Sequence, residues 1–320
     1  MHFQKITSGT IKKFLIEHNT YLILLLLVVF SSILTSDFLS VMNIRNIFLQ
    51  QAGPICIAIG MLFVILTGGI DLAVGSYMAF GVSMMGVLFV NNQLPMGLSI
   101  VITLVLGMML GMVTGVFVAY FNMQGFIASL AMMTVGRGIS FVLTNGVPIP
   151  IPLNTLDKLV AKSAGYPIFF ILIGIVALFL FIQVFTTYGR LVIACGSNRN
   201  AVELAGIRSR RYIASVYAVS ALLSVFAGLV AAARVSTASP SLGAGLELNA
   251  IAACAIGGAS LSGGVGSVLK TVVGVLVLAL IGNVMNLMSV PPYPQDIIKG
   301  VIIVLAVLLQ LATNRTTRSV

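Results

Sequence analysis

The chain has 320 residues, 59% hydrophobic and 8% charged, with 17 Lys and Arg against 7 Asp and Glu. Soluble domains carry roughly 25% charged residues, so a mean hydropathy of +1.14 with this little charge excludes a water-soluble globular protein. The net charge of +10 is gathered at the two ends and in one interior loop, the positive-inside distribution of a membrane protein and not a nucleic-acid surface. Long apolar runs broken by short polar spots favour helices over a β-barrel. The expected fold is all-α, a polytopic helical bundle surrounded by lipid, with no nucleic-acid partner.

Residues 1–19 carry Lys5, Lys12 and Lys13 and read as a cytoplasmic N-terminal segment. The apolar stretch from Thr20 to Ser36 resembles a signal peptide, but no small-x-small cleavage site follows it and further spans come at once, so a retained anchor helix is expected. A hydrocarbon core about 30 Å thick takes about 20 helical residues. That ruler gives about ten spans, near 20–36, 50–67, 73–91, 97–120, 125–144, 167–187, 212–233, 244–261, 267–288 and 296–312. An even number puts both termini on one side, and Lys5, Lys12, Lys13, Arg315 and Arg318 make that side the cytoplasm. Tyr21, Tyr120, Tyr166, Tyr188, Tyr212 and Tyr293 fall near span ends, as an aromatic belt would. The transmembrane domain is thus 20–312, with a cytoplasmic tail at 313–320.

Between spans two and three stands TGGIDLAVGS, Thr67 to Ser76. Asp71 is the only charged residue between Arg45 and Arg137, and a charge at the centre of a membrane helix costs about 2.5–3.5 kcal/mol on insertion scales. Gly68 and Gly69 break one helix, which lets Asp71 N-cap the next. Two readings stay open: a cap at the membrane edge, or the wall of a gate, since broken helices at a cavity mark pathways.

Asn145 to Pro167 forms the longest outer loop, its prolines favouring extended or turn structure, with a short amphipathic helix at NTLDKLVAK. The interior loop at 188–212 carries Arg190, Arg199, Arg208, Arg210 and Arg211 against Glu203. Its middle reads as a short helix, capped by Ser197 or Asn198 and ended by Gly206. Such a helix could lie on the inner leaflet or fit a protein groove.

GGASLSGGVGS, Gly257 to Ser267, joins spans eight and nine on the same side. Its first five residues match Gly68 to Leu72 in pattern, with Ser260 in the place of Asp71. The string GGVGSVLKT fails as a phosphate loop, because Leu269 stands where a glycine must precede the lysine. At depth, Arg137 needs a partner; Glu247 is one, with Arg234 competing for it. Asp296 and Lys299 can pair at i, i+3. All five read as structural pairs or, alternatively, as transport groups. Cys56, Cys195 and Cys254 show no metal-ligand spacing, and no nucleophile–base cluster is visible, so neither an enzyme nor a metal site is expected.

At these stretches the sequence resembles the membrane permeases of bacterial ATP-driven monosaccharide importers, the ribose-permease family. TGGIDLAVGS is similar to that family's Gly-Ile-Asp-Leu-Ser-Val-Gly-Ser signature, with Ala73 for the usual Ser. GRLVIACGSNRNAVELAGI is similar to its interior loop, with Ser197, Val202 and Ala205 as departures, and GGASLSGGVGS to its Gly-Gly-x-Ser-Leu-x-Gly-Gly-x-Gly motif. FIASLAMMTVGRG, TNGVP and LELNAIAACAIGG add matches in family order along nearly the whole chain. The resemblance implies an inner-membrane permease that is not itself an enzyme and binds no cofactor. Its expected partners are a second permease chain, a cytoplasmic ATPase subunit holding ATP and magnesium, and a periplasmic sugar-binding protein. It makes the interior loop a coupling helix, with Ser197, Asn198, Arg199, Asn200, Glu203 and Gly206 toward the ATPase. It places gate or pathway roles at Gly68, Gly69, Asp71, Ser76, Asn122, Gln124 and Ser260. Leu246 and Asn249 stand where relatives often have Tyr and Asp. The rival class is an ion-coupled secondary transporter using Asp71.

Overall fold

The computed structural model describes residues 19–161, 166–302 and 304. The helices are α1 (Asn19–Leu34), α2 (Val41–Leu66), α3 (Val74–Gly86), α4 (Met96–Tyr120), α5 (Gly125–Thr144), α6 (Pro167–Phe185), α7 (Thr187–Ser197), α8 (Arg199–Leu204), α9 (Ser209–Val235), α10 (Leu246–Ile256) and α11 (Val268–Leu287). A one-turn π-helix, Val87–Asn91, extends α3, and a further helix runs over 292–302.

Seven of these are long and apolar enough to cross a membrane; α1 and α10 are shorter apolar helices. The polytopic all-helical fold expected from composition is the fold observed, with differences in three spans. The second starts at Val41, well before residue 50. Ser40 caps it by accepting from the Asn43 amide at 3.2 Å, and the polar Asn43, Arg45 and Asn46 had hidden this turn from a hydropathy ruler. The eighth shrinks to the 11 residues of α10, about 16 Å at 1.5 Å per residue, roughly half the apolar core. The tenth, at 296–312, begins earlier, and its second half lies outside the described residues, as do segments 1–18 and 313–320.

The centre of the bundle is α9, 27 residues with most side chains buried, packed against α4, α2 and α3. Lipid tails are as apolar as leucine, so helices associate here through close packing on small residues. In α4 these recur every four residues: Ser99, Thr103, Gly107, Gly111 and Gly115 are all buried, while Val101, Val105, Met109 and Phe117 face outward. A Cβ on Gly107, Gly111 or Gly115 would lie 2.3–2.4 Å from atoms of Val225, Ala221, Tyr217 or Ala214 of α9. The α2 face does the same, with Gly60 against the backbone of Ser220.

One end of the bundle is closed by a two-residue antiparallel ladder, β1 (Ile149–Pro150) on β2 (Thr237–Ala238), with Ile149 opposite Ala238. The proline-rich part of this loop, 148–152, is extended, and among the described residues NTLDKLVAK contributes the 3-10 turn Leu156–Leu159. At the other end, three glycine-rich turns meet.

Candidate functional site

Both α2 and α10 end in the same hydrogen-bonded cap. Gly68 N–H donates to Ile65 O at 2.8 Å and Gly69 N–H to Val64 O at 3.2 Å; Gly258 N–H donates to Ala255 O and Ala259 N–H to Cys254 O, both at 2.9 Å. Gly68 and Gly258 have φ of 81° and 79°, the left-handed conformation such a cap needs and glycine adopts without penalty. This geometry aligns Gly68 with Gly258, one residue away from the sequence match. Ser260 therefore falls opposite Ile70 and does not replace Asp71. Nor does Ser260 cap α11, whose N-cap residue is Ser267, seven residues later, with no side-chain cap hydrogen bond. The first α11 amide, Val268 N–H, donates instead to Gln183 Oε1 of α6 at 2.9 Å, and Gln183 Nε2 donates to Gly266 O at 2.9 Å. A buried carboxamide from another helix thus clamps this loop, a role that sequence spacing alone does not reveal.

The two turns are joined through α7. Gly264 N–H donates to Leu66 O at 3.0 Å. A Cβ on Gly196 would stand 1.9 Å from the same oxygen and 2.8 Å from Gly264 N, and one on Gly263 would stand 2.8 Å from Gly68 N. Leu66 to Gly69, Gly196 to Ser197 and Ser262 to Gly264 therefore touch backbone to backbone. A fourth turn, Asn122 to Gly125, leans on the first. Gly125 lies against the Tyr217 hydroxyl and the backbone of Ile70, and Ser129 Oγ donates to Ile70 O at 3.2 Å. Asn122 (φ 55°) and Gln124 are exposed at that turn. The structure so gathers Gly68, Gly69, Asn122, Gln124 and Ser260 at one end.

Asp71 is placed differently from the sequence expectation. The N-cap position of α3 is Ala73, with no side-chain cap. Asp71 is fully buried; Oδ1 accepts the Ala73 amide at 3.0 Å and Oδ2 accepts the Ser220 hydroxyl at 2.8 Å. Ser220 lies 11 residues into α9, about 16 Å along its axis, so the turn dips into the bundle and does not rest at its edge. The carboxylate needs these donors because an unpaired buried charge costs several kcal/mol. Ser76, also buried, donates to Ala73 O at 2.8 Å. Tyr217, one α9 turn from Ser220, has a buried hydroxyl with no hydrogen-bond partner among the described residues, pressed between Gly69 and Gly125. Ser220 and Tyr217 escaped sequence reading; the polar row Tyr217, Ser220, Ser224 on one face of an apolar helix was the available signal.

From this junction α8 projects. Asn198 Oδ1 caps it by accepting from Ala201 N–H at 3.0 Å, and Gly206, φ 77°, ends it. Arg199 Nε lies 3.0 Å from Glu203 Oε1 and 3.2 Å from Ser209 Oγ, and the Ser209 hydroxyl donates to the same carboxylate. These bonds hold the Glu203 carboxyl below the usual glutamate range. Glu203 and Arg199 face each other and α9, tying α8 to the bundle. Ser197, Asn198, Asn200 and Gly206 are exposed, and Leu204 is 89% exposed. Arg208, Arg210 and Arg211 are exposed beside them.

The expected charge pairs divide. Asp296 and Lys299 approach to 3.5 Å. Arg137 forms no ion pair with Glu247; its guanidinium donates to Pro240 O and Leu242 O, both at 2.8 Å, and Glu247 accepts from Gly245 N–H at 3.2 Å. Loop carbonyls stand nearer to Arg137 than the acid does. Arg234 makes no ion pair among the described residues and lies in the last turn of α9, where a cation suits the helix dipole. Cys56, Cys195 and Cys254 are buried thiols. No group of three His, Cys, Asp or Glu able to hold a metal occurs among the described residues.

The three glycine turns and the long spans between them are matched as one unit. Residues 43–307 fit the family described as branched-chain amino acid transport system / permease component. The chain belongs to this permease family. It is therefore a multi-pass inner-membrane permease component of a transport system. Among curated relatives, the ribose import permease protein of Haemophilus influenzae is 40% identical over 93% of this chain and 94% of its own. That of Bacillus subtilis is 40% identical over 90% and 91%. The L-arabinose ABC transporter permease protein of Azospirillum brasilense is 35% identical over 90% and 86%. No solved structure matches.

Proposed function

We propose that this chain is the membrane-spanning subunit of an ATP-driven monosaccharide importer. In that reading two permease chains pair around a path, a periplasmic binding protein delivers the sugar, and a separate ATPase subunit holds ATP and magnesium. The observation that carries it is α8: a short, capped helix, tied to the bundle by Arg199, Glu203 and Ser209, with Leu204 exposed at its tip. An apolar side chain so exposed on a rigid base suits insertion into a partner's groove. The five arginines of 188–212 support a cytoplasmic position for this end by the positive-inside rule, on the side where an ATPase would sit. Glu203 is occupied within the chain, so Leu204 and Asn200 are better placed than Glu203 to meet the ATPase. The backbone junction below α8 gives docking a direct mechanical route to the Asp71 turn. Relatives named for ribose and L-arabinose transport support the sugar.

Reconstitution in proteoliposomes tests this. Radiolabelled sugar uptake is expected only with ATPase, ATP and loaded binding protein together. Uptake driven by an ion gradient in the isolated permease would contradict the proposal and favour Asp71 as an ion site.

A further inference from the structure

A cleft of about 230 Å³ opens between α2, α10, α11 and the helix over 292–302. Six carboxamides line it: Gln50, Gln51, Asn249, Asn283, Asn286 and Gln295. Membrane-embedded helices gain nothing from scattered amides, since each must find hydrogen bonds or cost free energy. Here they converge from four helices on one space.

Half of them are held. Asn283 and Asn43 exchange amide bonds at 2.8 and 3.0 Å. Gln295 Nε2 donates to Asn286 Oδ1 at 2.8 Å and to Val290 O at 2.9 Å. Gln50, Gln51 and Asn249 have side chains without a hydrogen bond among the described residues, and each is at least partly open to the cleft. Pro54 adds an acceptor. It sits inside α2 and has no N–H to offer the carbonyl four residues earlier, that of Gln50. The wall at Asn249 is α10, a helix of half the membrane thickness, and interrupted helices of this kind are where transporters place solute sites.

We infer that this carboxamide cleft holds the solute during passage, and that the solute is a neutral polyol of monosaccharide size. A carboxamide offers two donors and two acceptor lone pairs, and a sugar hydroxyl needs one acceptor for its O–H and up to two donors for its lone pairs, so the two match in either direction. A zwitterionic amino acid would need a fixed cation and a fixed anion. Among the described residues the one charged side chain lining the cleft is Lys299, already 3.5 Å from Asp296. The cleft chemistry thus favours the sugars of the relatives over the amino acids of the family description. The inference rests on the permease reading above.

The test uses the complete reconstituted transporter with radiolabelled D-ribose, L-arabinose, D-xylose and L-leucine as probes. Asn249→Leu and Gln51→Leu should each lower sugar moved per ATP hydrolysed by up to about tenfold, since a lost hydrogen bond removes up to about 1.5 kcal/mol; Asn249→Gln should restore part of it. A ratio unchanged in both leucine variants would remove the cleft from the path while leaving the sugar reading intact. Leucine uptake without sugar uptake by the unmodified protein would overturn the sugar reading and the cleft's ligand together. Cysteine labelling keeps the inference testable if the leucine variants do not fold. Gln51→Cys and Asn249→Cys should react with a charged thiol reagent and be protected by the transported sugar. The native cysteines are buried, and Leu178→Cys, on an outward-facing position of α6, should stay unreacted. Cysteines at 51 and 249 as inert as that at 178 would overturn the inference.

Discussion

The glycine junction and the carboxamide cleft are built by opposite means. At the junction Leu66, Gly196 and Gly264 meet through backbone atoms, with no room for one methyl group. In the cleft, side chains from four helices stand apart around open space, and three amides are left unbonded among the described residues. A backbone-packed contact transmits displacement because it cannot deform without breaking. An amide-lined gap can exchange partners with a passing solute at little cost, since each bond given up is replaced. One region suits coupling and the other passage.

The largest effect should come from filling the junction. Gly196→Val places carbon where Leu66 O stands, at 1.9 Å, with only backbone nearby. A loss of about 3 kcal/mol or more is expected, at the upper end of overpacking effects, visible as a collapse of the monodisperse peak in detergent. Gly174→Ala, whose Cβ meets nothing within 4 Å, should fold normally. If both variants behave alike, the junction is not the tight contact described.

Next is Leu204→Asp. Leu204 is 89% exposed, so the fold should stand, while ATPase co-purification should fall about tenfold or more if it fills a partner pocket worth ~2 kcal/mol. An unaffected complex would take Leu204 out of the interface.

Smaller again is Ser220→Ala, which strips one donor from the buried Asp71 carboxylate. Thermal unfolding should show a loss of about 1–3 kcal/mol. Combining it with Asp71→Asn should cost less than the sum, because the two groups form one contact. Strict additivity would mean that they act independently.

The smallest effect is on pH. Ser209 and Arg199 depress the Glu203 carboxyl, so the α8 brace contributes fully above the ordinary glutamate range and is lost as pH falls through the lowered value. Hydrogen exchange at Ala205 and Gly206 should be insensitive to this group from neutral pH to about 5 and quicken only below about 4. Loosening at neutral pH would contradict the brace.

Much of the junction was legible in sequence because its requirement is local. Thr67 to Ser76, Cys195 to Asn198 and Gly257 to Ser267 carry glycines close together, and left-handed caps call for glycine at fixed offsets. Their mutual contact was not legible, and this shifted the match of Gly257 to Gly68 by one residue. Asp71 was recognised as exceptional, but its partner Ser220 lies 149 residues away in an apolar helix. The cleft was the least legible part. Gln50 and Gln295 are each unremarkable in their own segment, and only folding brings them to one wall. Asn249 stands out in the sequence by the family resemblance, while its neighbours across the gap do not. The short α10 was mistaken for a full span because apolar residues continue beyond the cap at Gly258.

The division of labour is tested most directly by measuring sugar uptake and ATP hydrolysis together, in the same proteoliposomes, for Leu204→Asp and Asn249→Leu. Leu204→Asp should lose binding-protein-stimulated hydrolysis and uptake in parallel. Asn249→Leu should lower the sugar moved per ATP hydrolysed. Both variants losing hydrolysis and uptake in the same proportion would contradict the assignment of coupling to one region and passage to the other.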